Sequence, residues 1–355
     1  MKPDLQGRRI LITGGAGFIG GNLAHLSLQN GAERVVVYDS LTYAACPETL
    51  ASIEKSDSFH FVQADVADEE SFHRCLQVEK PHRVFHLAAE SHVDRSLDNF
   101  TPFLHTNIHG TRSVLDATRA WVNKDAPEDF LFLHSSTDEV FGMLSKEGSF
   151  SESTPPNPRN PYSATKAAAD VLVETWAHAF GIPTIISHSG NNFGPFQFPE
   201  KLIPLMIQKA LRNEPLPVFG DGSQVRDWIH VHDHVRALCA LAEQGKPGSR
   251  YCISSEDEHT NLDVVQTVLS CVEKSHSEIE FVTDRPGHDF RYASSNKKIC
   301  EETNWSPLYT NFRKAIQETV EWYLSNPTWC RAAETQSNYH GERLGLAGYR
   351  EQSEE

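Results

Sequence analysis

The segment Arg9-Ile-Leu-Ile-Thr13 runs straight into Gly14-Gly-Ala-Gly17-Phe18-Ile19-Gly20 and then into a helical pattern from Asn22 to Gln29. Nothing else in the chain constrains its fold as much. A short apolar strand, a glycine turn and a helix in immediate succession open a βαβ unit, whose second strand returns parallel to the first. Gly14, Gly17 and Gly20 follow the G-x-x-G-x-x-G spacing, in which absent side chains let the backbone approach a dinucleotide pyrophosphate at the helix amino terminus. The next strand, Arg34-Val-Val-Val-Tyr38, ends in Asp39, where an acid would take ribose hydroxyls. Asp39 would repel a 2′-phosphate and Ser40-Leu41-Thr42 offers no arginine, so NAD rather than NADP is expected. A third strand from Phe59 to Val62 leads to Asp65-Val66, which either flanks the adenine or caps a helix before Glu69.

The alternation continues through Arg83–Leu87, a helix from Asn107 to Val122, Phe130–His134, a helix containing Tyr162, and Thr184–Ser187. This predicts an α/β fold, a doubly wound parallel sheet of Rossmann type with a smaller C-terminal substrate-binding domain. Ligands bind such sheets at the carboxyl ends of the strands. Gly14, Asp39, Ala88-Ala89-Glu90-Ser91 and Ser136-Thr137-Asp138-Glu139 all fall there. From Asn191 onward, Pro195-Phe-Gln-Phe-Pro199 and Phe219-Gly-Asp-Gly222 predict loops of a small closing domain rather than further sheet. The expected division is 1–190 with 228–256 for NAD, 191–227 with 257–341 for the substrate, and a flexible tail over 342–355.

The chain has 355 residues, 39% of them apolar, which is enough for a large core. Its net charge of −16 disfavours nucleic acid as a partner. No apolar run reaches the roughly 18 residues of a membrane span, and the first strand begins too early for a leader, so a cytoplasmic protein is expected. Seven scattered cysteines (Cys46, Cys75, Cys239, Cys252, Cys271, Cys300 and Cys330) without a C-x-x-C pair suit reduced thiols. His230, His232 and His234 alternate, which would put them on one face of a strand and raises the question of a metal.

Tyr162 and Lys166 lie one helical turn apart, so the ammonium can sit near the phenol and favour its ionised form. By itself the spacing also fits a solvated helix face. Its combination with Thr137-Asp138-Glu139 puts a redox pair together with an acid and a base, more than a dehydrogenase needs.

These segments resemble the extended short-chain dehydrogenase/reductase superfamily, and within it the dTDP-glucose 4,6-dehydratases. The resemblance covers nearly the whole chain. Thr13–Gly20, Asp39–Ala44, His86–Ser96, Ser136–Gly142, Asn191–Pro195, Phe198–Pro204, Val225–Val231, Asp284–Asp289 and Asn338–Gly341 carry it. The Thr-Asp-Glu triplet discriminates, since related epimerases and decarboxylases share the glycine loop and Tyr-x-x-x-Lys without the acid-base pair. The resemblance implies oxidation at C4 with Tyr162 as base and Thr137 steadying the oxygen, removal of the C5 proton by Glu139, and protonation of the departing C6 hydroxyl by Asp138. It implies that NAD also touches Phe18, Ile19, Ser40, Leu41, Thr42, Leu87, Ala88, Ala89, Ser91, Thr106, Tyr162, Lys166 and Asn192. The nucleotide sugar would meet Ser91, Thr137, Asn191, Lys201, Leu202, Pro217, Phe219, Arg226, Asn261, Arg285, His288 and Tyr339. Arg226 and Arg285 also make independent sense, because guanidinium groups suit a diphosphate. No metal and a homodimer built through the Phe100–Val122 and Tyr162 helices are implied as well. A UDP-glucose 4,6-dehydratase or a nucleotide-sugar epimerase is the alternative. Phe141, Phe193 and Phe219 stand where tyrosines are common, Phe290 where an arginine is frequent, and Ala45-Cys46-Pro47 where Gly-Asn is usual.

Overall fold

The computed structural model of the protein describes residues 5–272, 275–284, 287–337 and 339. In chain order the large sheet and its helices are β1 (Arg9–Thr13), α1 (Phe18–Gln29), β2 (Arg34–Asp39), β3 (Phe59–Gln63), α2 (Glu69–Glu79), β4 (Arg83–His86), α3 (Val93–Asp98), α4 (Thr101–Phe103), α5 (Thr111–Val122), β5 (Leu131–Thr137), α6 (Pro161–Phe180) and β6 (Thr184–Ser189). Then follow β7 (Asn191–Phe193), α7 (Leu202–Leu211), β8 (Leu216–Phe219), β9 (Val225–His230), α8 (Val231–Gln244), β10 (Ser249–Ile253), β11 (Glu258–Thr260), α9 (Asn261–Cys271), β12 (Ile279–Val282), α10 (Lys297–Glu302), α11 (Phe312–Ser325) and α12 (Pro327–Ser337).

Seven strands form a parallel sheet in the order β10-β6-β5-β4-β1-β2-β3. Ile12 lies opposite Val37 on one side and Phe85 on the other. Because side chains alternate along a strand, Ile10, Ile12, Val35, Val37 and Phe85 pack on one face with α1 and α8. Leu11, Val36, Tyr38, Val84 and Phe132 pack on the other with α2 and α5. Burying one such side chain contributes roughly 1.5–3 kcal/mol. A one-residue slip would turn them all over, at a cost exceeding the roughly 5–15 kcal/mol net stability typical of a folded protein. The register is therefore fixed, and with it the line of carboxyl-end residues Thr13, Asp39, His86, Thr137 and Ser189.

A second core gathers Phe193, Ile203, Ile207, Leu216, Val264, Ile316 and Trp329 from α7, α9, α11, α12 and two small sheets. Those sheets, β11-β9-β7 and β12-β8, correct the expectation that no further sheet follows Asn191. The strands are short, and β9 carries Arg226 and Asp227, whose polarity hides a strand that is nevertheless buried. β10 returns to the edge of the large sheet beside β6.

The histidine run also differs from a single strand face. β9 ends at His230, and α8 starts at Val231. His230 stacks on Tyr309 with ring centroids 3.8 Å apart, whereas His234 Nδ1 contacts Asn192 Oδ1 at 2.8 Å. Among the described residues no cluster of three metal-ligating side chains occurs.

Candidate active site

A cleft of about 470 Å³ opens along the carboxyl ends of β1, β2, β4, β5 and β6. Its floor is the glycine turn. Gly14 has φ +69°, and a side-chain carbon there would lie 2.8 Å from the Ala88 backbone. A carbon on Gly20 would collide with the Gly14 carbonyl and sit 2.7 Å from Gly15 Cα. At Gly17 it would meet only the Gly14 carbonyl oxygen within 4 Å, at 3.3 Å. The helix behind this turn, α1, has Gly17 as its N-cap, with no side-chain cap and no acid in its first turn. Its first N–H groups are thus open to an anion, which the helix dipole favours. Gly20→Ala should force the turn apart, lowering the melting temperature by the equivalent of about 1–3 kcal/mol. It should also weaken NAD binding in a fluorescence titration.

Asp39 closes the adenosine side. Its carboxylate accepts from Ala16 N at 2.9 Å and Leu41 N at 2.8 Å, leaving one lone-pair direction on each oxygen for a ribose hydroxyl. Burial raises its pKa, and those two N–H groups pull the other way. Asp65 lines the same end, accepting from Ala67 N at 2.8 Å and pairing with His105 Nε2 at 3.0 Å. Burial alone would raise the Asp65 pKa, yet these partners bring it below the usual value. The helix cap that Asp65 competed for is taken by Asp68, which accepts from Ser71 N. These features fit NAD: open helix N–H groups for the pyrophosphate and a buried acid for a ribose.

At the other end β5 delivers Thr137, Asp138 and Glu139 opposite Tyr162 and Lys166 of α6, and all five line the cleft. Thr137 Oγ1 accepts from Glu139 N at 3.3 Å and also bonds the Tyr162 side chain. Asn160 caps α6 through Ser163 N and donates to Glu139 Oε2 at 3.0 Å, so one residue fixes both the helix start and the glutamate. Asp138 is 1% exposed, and Oδ2 has no hydrogen-bond partner among the described residues. Burial, then Glu139 and Asp227, push its carboxyl well above the usual range. Lys166 Nζ donates to Ser135 O at 2.8 Å, and burial brings it down to about 8. Burial, then Glu139, raise the Tyr162 pKa above its ordinary value.

The family model for GDP-mannose 4,6 dehydratase matches residues 11–319. The dTDP-glucose 4,6-dehydratase of Xanthomonas campestris pv. campestris (strain B100) is 45% identical over 350 residues, covering 94% of this chain and 98% of its own. The chain belongs to the dTDP-glucose 4,6-dehydratase family. A member from Escherichia coli (strain K12) is 44% identical over 340 residues, 90% of this chain and 94% of its own. The solved structure of the Streptomyces venezuelae dTDP-glucose 4,6-dehydratase, crystallised with NAD, superposes with TM-score 0.86 at 36% identity, covering 92% of this chain and 99% of that one.

The cleft also brings together Phe18, Ile19, Ser40, Thr42, Val66, Leu87, Ala88, Ala89, Ser91, Thr106, Asn191, Asn192 and Lys201. Lys201 Nζ donates to Ser91 O at 3.1 Å across its mouth. Leu41, Leu202, Pro217, Phe219, Arg226, Asn261, His288 and Tyr339 are not among its lining residues. Leu41 packs against the large-sheet core and Leu202 against the second core. Pro217 and Phe219 pair in β8 with β12. Asn261 opens α9, and its N–H donates to Gln224 O at 2.9 Å. His288 Nδ1 is 2.7 Å from Asp284 Oδ1, and Tyr339 is 7% exposed. The Arg226 guanidinium, expected at the diphosphate, donates to the Val225, Asp289 and Phe290 carbonyls and stacks over Tyr292. Arg285 lies outside the described residues.

Three site features went unread in the sequence. Asn160 had a signal, an asparagine directly before Pro161 at a helix start. So did Asp170, which continues the Tyr162, Lys166 spacing by one more turn. Buried, it accepts from Ser136 Oγ at 3.0 Å and pairs with His188 Nε2 at 2.9 Å. Asn107 had none, because it faces inward from a π-helix, Leu104–Gly110, inside a run that periodicity shows as a single helix. It bonds both the N–H and the carbonyl of Glu90 and reaches Thr165 Oγ1 at 2.9 Å, tying the β4 loop to α6.

Proposed function

We propose that the protein converts dTDP-D-glucose to dTDP-4-dehydro-6-deoxy-D-glucose and water. One observation carries this reading: Thr137, Asp138 and Glu139 share a cleft wall with Tyr162 and Lys166. The chemistry NAD supplies when bound is a hydride sink and source, so that C4 is oxidised first and C6 is reduced last. Everything else falls to the chain. Tyr162 accepts the C4 hydroxyl proton, and Thr137 steadies that oxygen. The resulting ketone acidifies the C5 hydrogen, which Glu139, held by Asn160, removes. Asp138, kept neutral by burial and its acidic neighbours, gives its proton to the departing C6 hydroxyl. An epimerase needs neither carboxylate, although the solved UDP-glucose 4-epimerase of Thermus thermophilus shares the fold with TM-score 0.81 at 25% identity, covering 89% of this chain and 99% of that one.

The test is to incubate the purified protein separately with dTDP-glucose and UDP-glucose and to identify the product. A 4-keto-6-deoxy sugar from dTDP-glucose is expected, with UDP-glucose slower by no more than about 10–200-fold, since a thymine methyl discriminates only that far. An epimerised or unchanged sugar would reject the reading.

Residues 1–190 with 228–256 are assigned to NAD and 191–227 with 257–341 to the nucleotide sugar; most of each core falls on its own side, while Ile299 and Trp305 join the large-sheet core and Cys46 and Trp228 the second. A cytoplasmic homodimer is the proposed form. Half-exposed Phe100, Leu104, Val171 and Phe180 on or beside α4–α6 support the dimer, to be checked by sedimentation. Seven free cysteines support a reducing compartment, and among the described residues no helix is long and apolar enough to cross a membrane. Asp39→Ala is expected to loosen NAD and to narrow the preference over NADP, measured as dissociation constants for the two cofactors.

A further inference from the structure

Asp227 on β9 is 1% exposed and outside the cleft wall. Four donors hold its carboxylate. Oδ1 accepts from Ser255 N at 3.2 Å and Ser255 Oγ at 2.9 Å, while Oδ2 accepts from Ser254 Oγ and from Glu256 N at 3.2 Å. Both N–H groups can only donate, so the shell is built for an acceptor-only, ionised group. Burial raises Asp227 to about 6, which still leaves it charged at neutral pH.

The backbone and Cβ of Asp227 lie across Gly190 from Asp138. A carbon built on Gly190 would lie 3.5 Å from Asp227 Cβ and 3.6 Å from Asp138 Oδ2, the buried oxygen without a partner. The other charged or titratable groups facing Asp138 are Glu139 on its own turn, Tyr162 on α6, Arg226 on β9 and Cys252 on β10. Arg226 is the cation among these groups and lowers the Asp138 carboxyl, against the two acids that raise it. The balance around Asp138 is therefore negative, with Asp227 its fixed component.

We propose that Asp227 is a positioning residue for the elimination step, its buried charge keeping Asp138 protonated until the C6 hydroxyl leaves. The inference rests on the reading of Asp138 as the acid. Proton balance gives it a further role. In each cycle Tyr162 gains the C4 hydroxyl proton, and Asp138 loses one to the water formed as the C6–O bond breaks. The site resets only when a proton returns to Asp138, and repulsion from Asp227 favours that recapture.

The experiment compares the pH dependence of product formation in wild type and Asp227→Asn. An acid must be protonated, so the rate falls as pH rises through its pKa, and removing a negative neighbour lowers that pKa. The alkaline limb should move down by about one pH unit, a roughly tenfold loss on that side with KM unchanged. A uniform loss at all pH values, with the limb in place, would mark Asp227 as merely structural and overturn the proposal. In an Asp138→Asn background the second substitution should leave the profile unchanged; a further shift there would also overturn it. Where Asp227→Asn does not fold, Ser255→Ala removes one donor, the hydroxyl on Oδ1, that keeps Asp227 ionised and should move the limb the same way by less; an unmoved limb counts against the proposal. Unfolding gives a readout independent of turnover. Folded Asp138 holds a proton that the unfolded chain releases near pH ~3.9, so its stabilising contribution is full below that pH and is lost as pH rises toward the folded value. Asp227, itself raised to about 6, adds its own part to the decline, so Asp227→Asn should flatten it more in the wild-type background than in the Asp138→Asn background. If dTDP-glucose is not turned over at all, the functional reading fails, while an equal flattening in both backgrounds would separately overturn the pairing of Asp138 with Asp227.

Discussion

Tyr162→Phe is expected to lower kcat by roughly 10²–10⁴-fold, the effect of losing a positioned base. The substitution deletes only the hydroxyl. Tyr162 is buried, edge-on to Phe103 at 6.5 Å, and its hydroxyl bonds Thr137, so the ring should stay in place with a stability change of about 1 kcal/mol. KM should change little, because the lost interaction matters most when the C4 proton moves. The phenol needs help to ionise, since burial and Glu139 both hold its proton on. Lys166 is cationic at neutral pH with its value near 8, but one of its hydrogens goes to Ser135 O. On mixing the variant with dTDP-glucose, no reduced-nicotinamide absorbance should build up. Turnover at the wild-type rate would remove Tyr162 from the chemistry.

How much of this was legible in the sequence follows from where the information lies. The large sheet was readable because each strand is apolar on both faces and each break carries glycine or acid, so Gly14, Asp39 and Thr137 fell at strand ends without any knowledge of pairing. The second core was not. β9 buries Arg226 and Asp227 through hydrogen bonds to partners far along the chain, and no local pattern announces a satisfied buried charge. The direction of Arg226 belongs to the same class: a guanidinium suits a diphosphate or three carbonyls equally well, and only the fold decides. The helical spacing of Tyr162 and Lys166 was legible, whereas the burial that raises the phenol and lowers the ammonium was not, because spacing gives proximity and says nothing of surroundings. Asn107 stayed hidden for a geometric reason, since a π-turn shifts the face of a helix without altering its composition.

Asp138→Asn and Glu139→Gln should separate elimination from oxidation. Both carboxylates stand on the turn after β5, but their surroundings divide the work. Glu139 is half-buried and accepts from Asn160 Nδ2, which leaves its other oxygen free to take a proton. Asp138 is fully buried among acids, which with burial raise its carboxyl well above the usual range. Neither touches the C4 oxygen in the scheme, so each variant should still oxidise C4 while losing water about 10²–10⁴-fold more slowly. Reduced-nicotinamide absorbance should rise on mixing and persist, and mass spectrometry should find a ketone that has kept its C6 oxygen. The amides are isosteric, so neither variant should unfold. Because burial and the neighbouring acids raise the Asp138 carboxyl in the folded chain, its stabilising contribution is lost as pH rises, and asparagine should raise stability relative to wild type on the alkaline side. If instead both variants fail at oxidation as Tyr162→Phe does, the carboxylates act before elimination, and the division of labour between β5 and α6 is wrong.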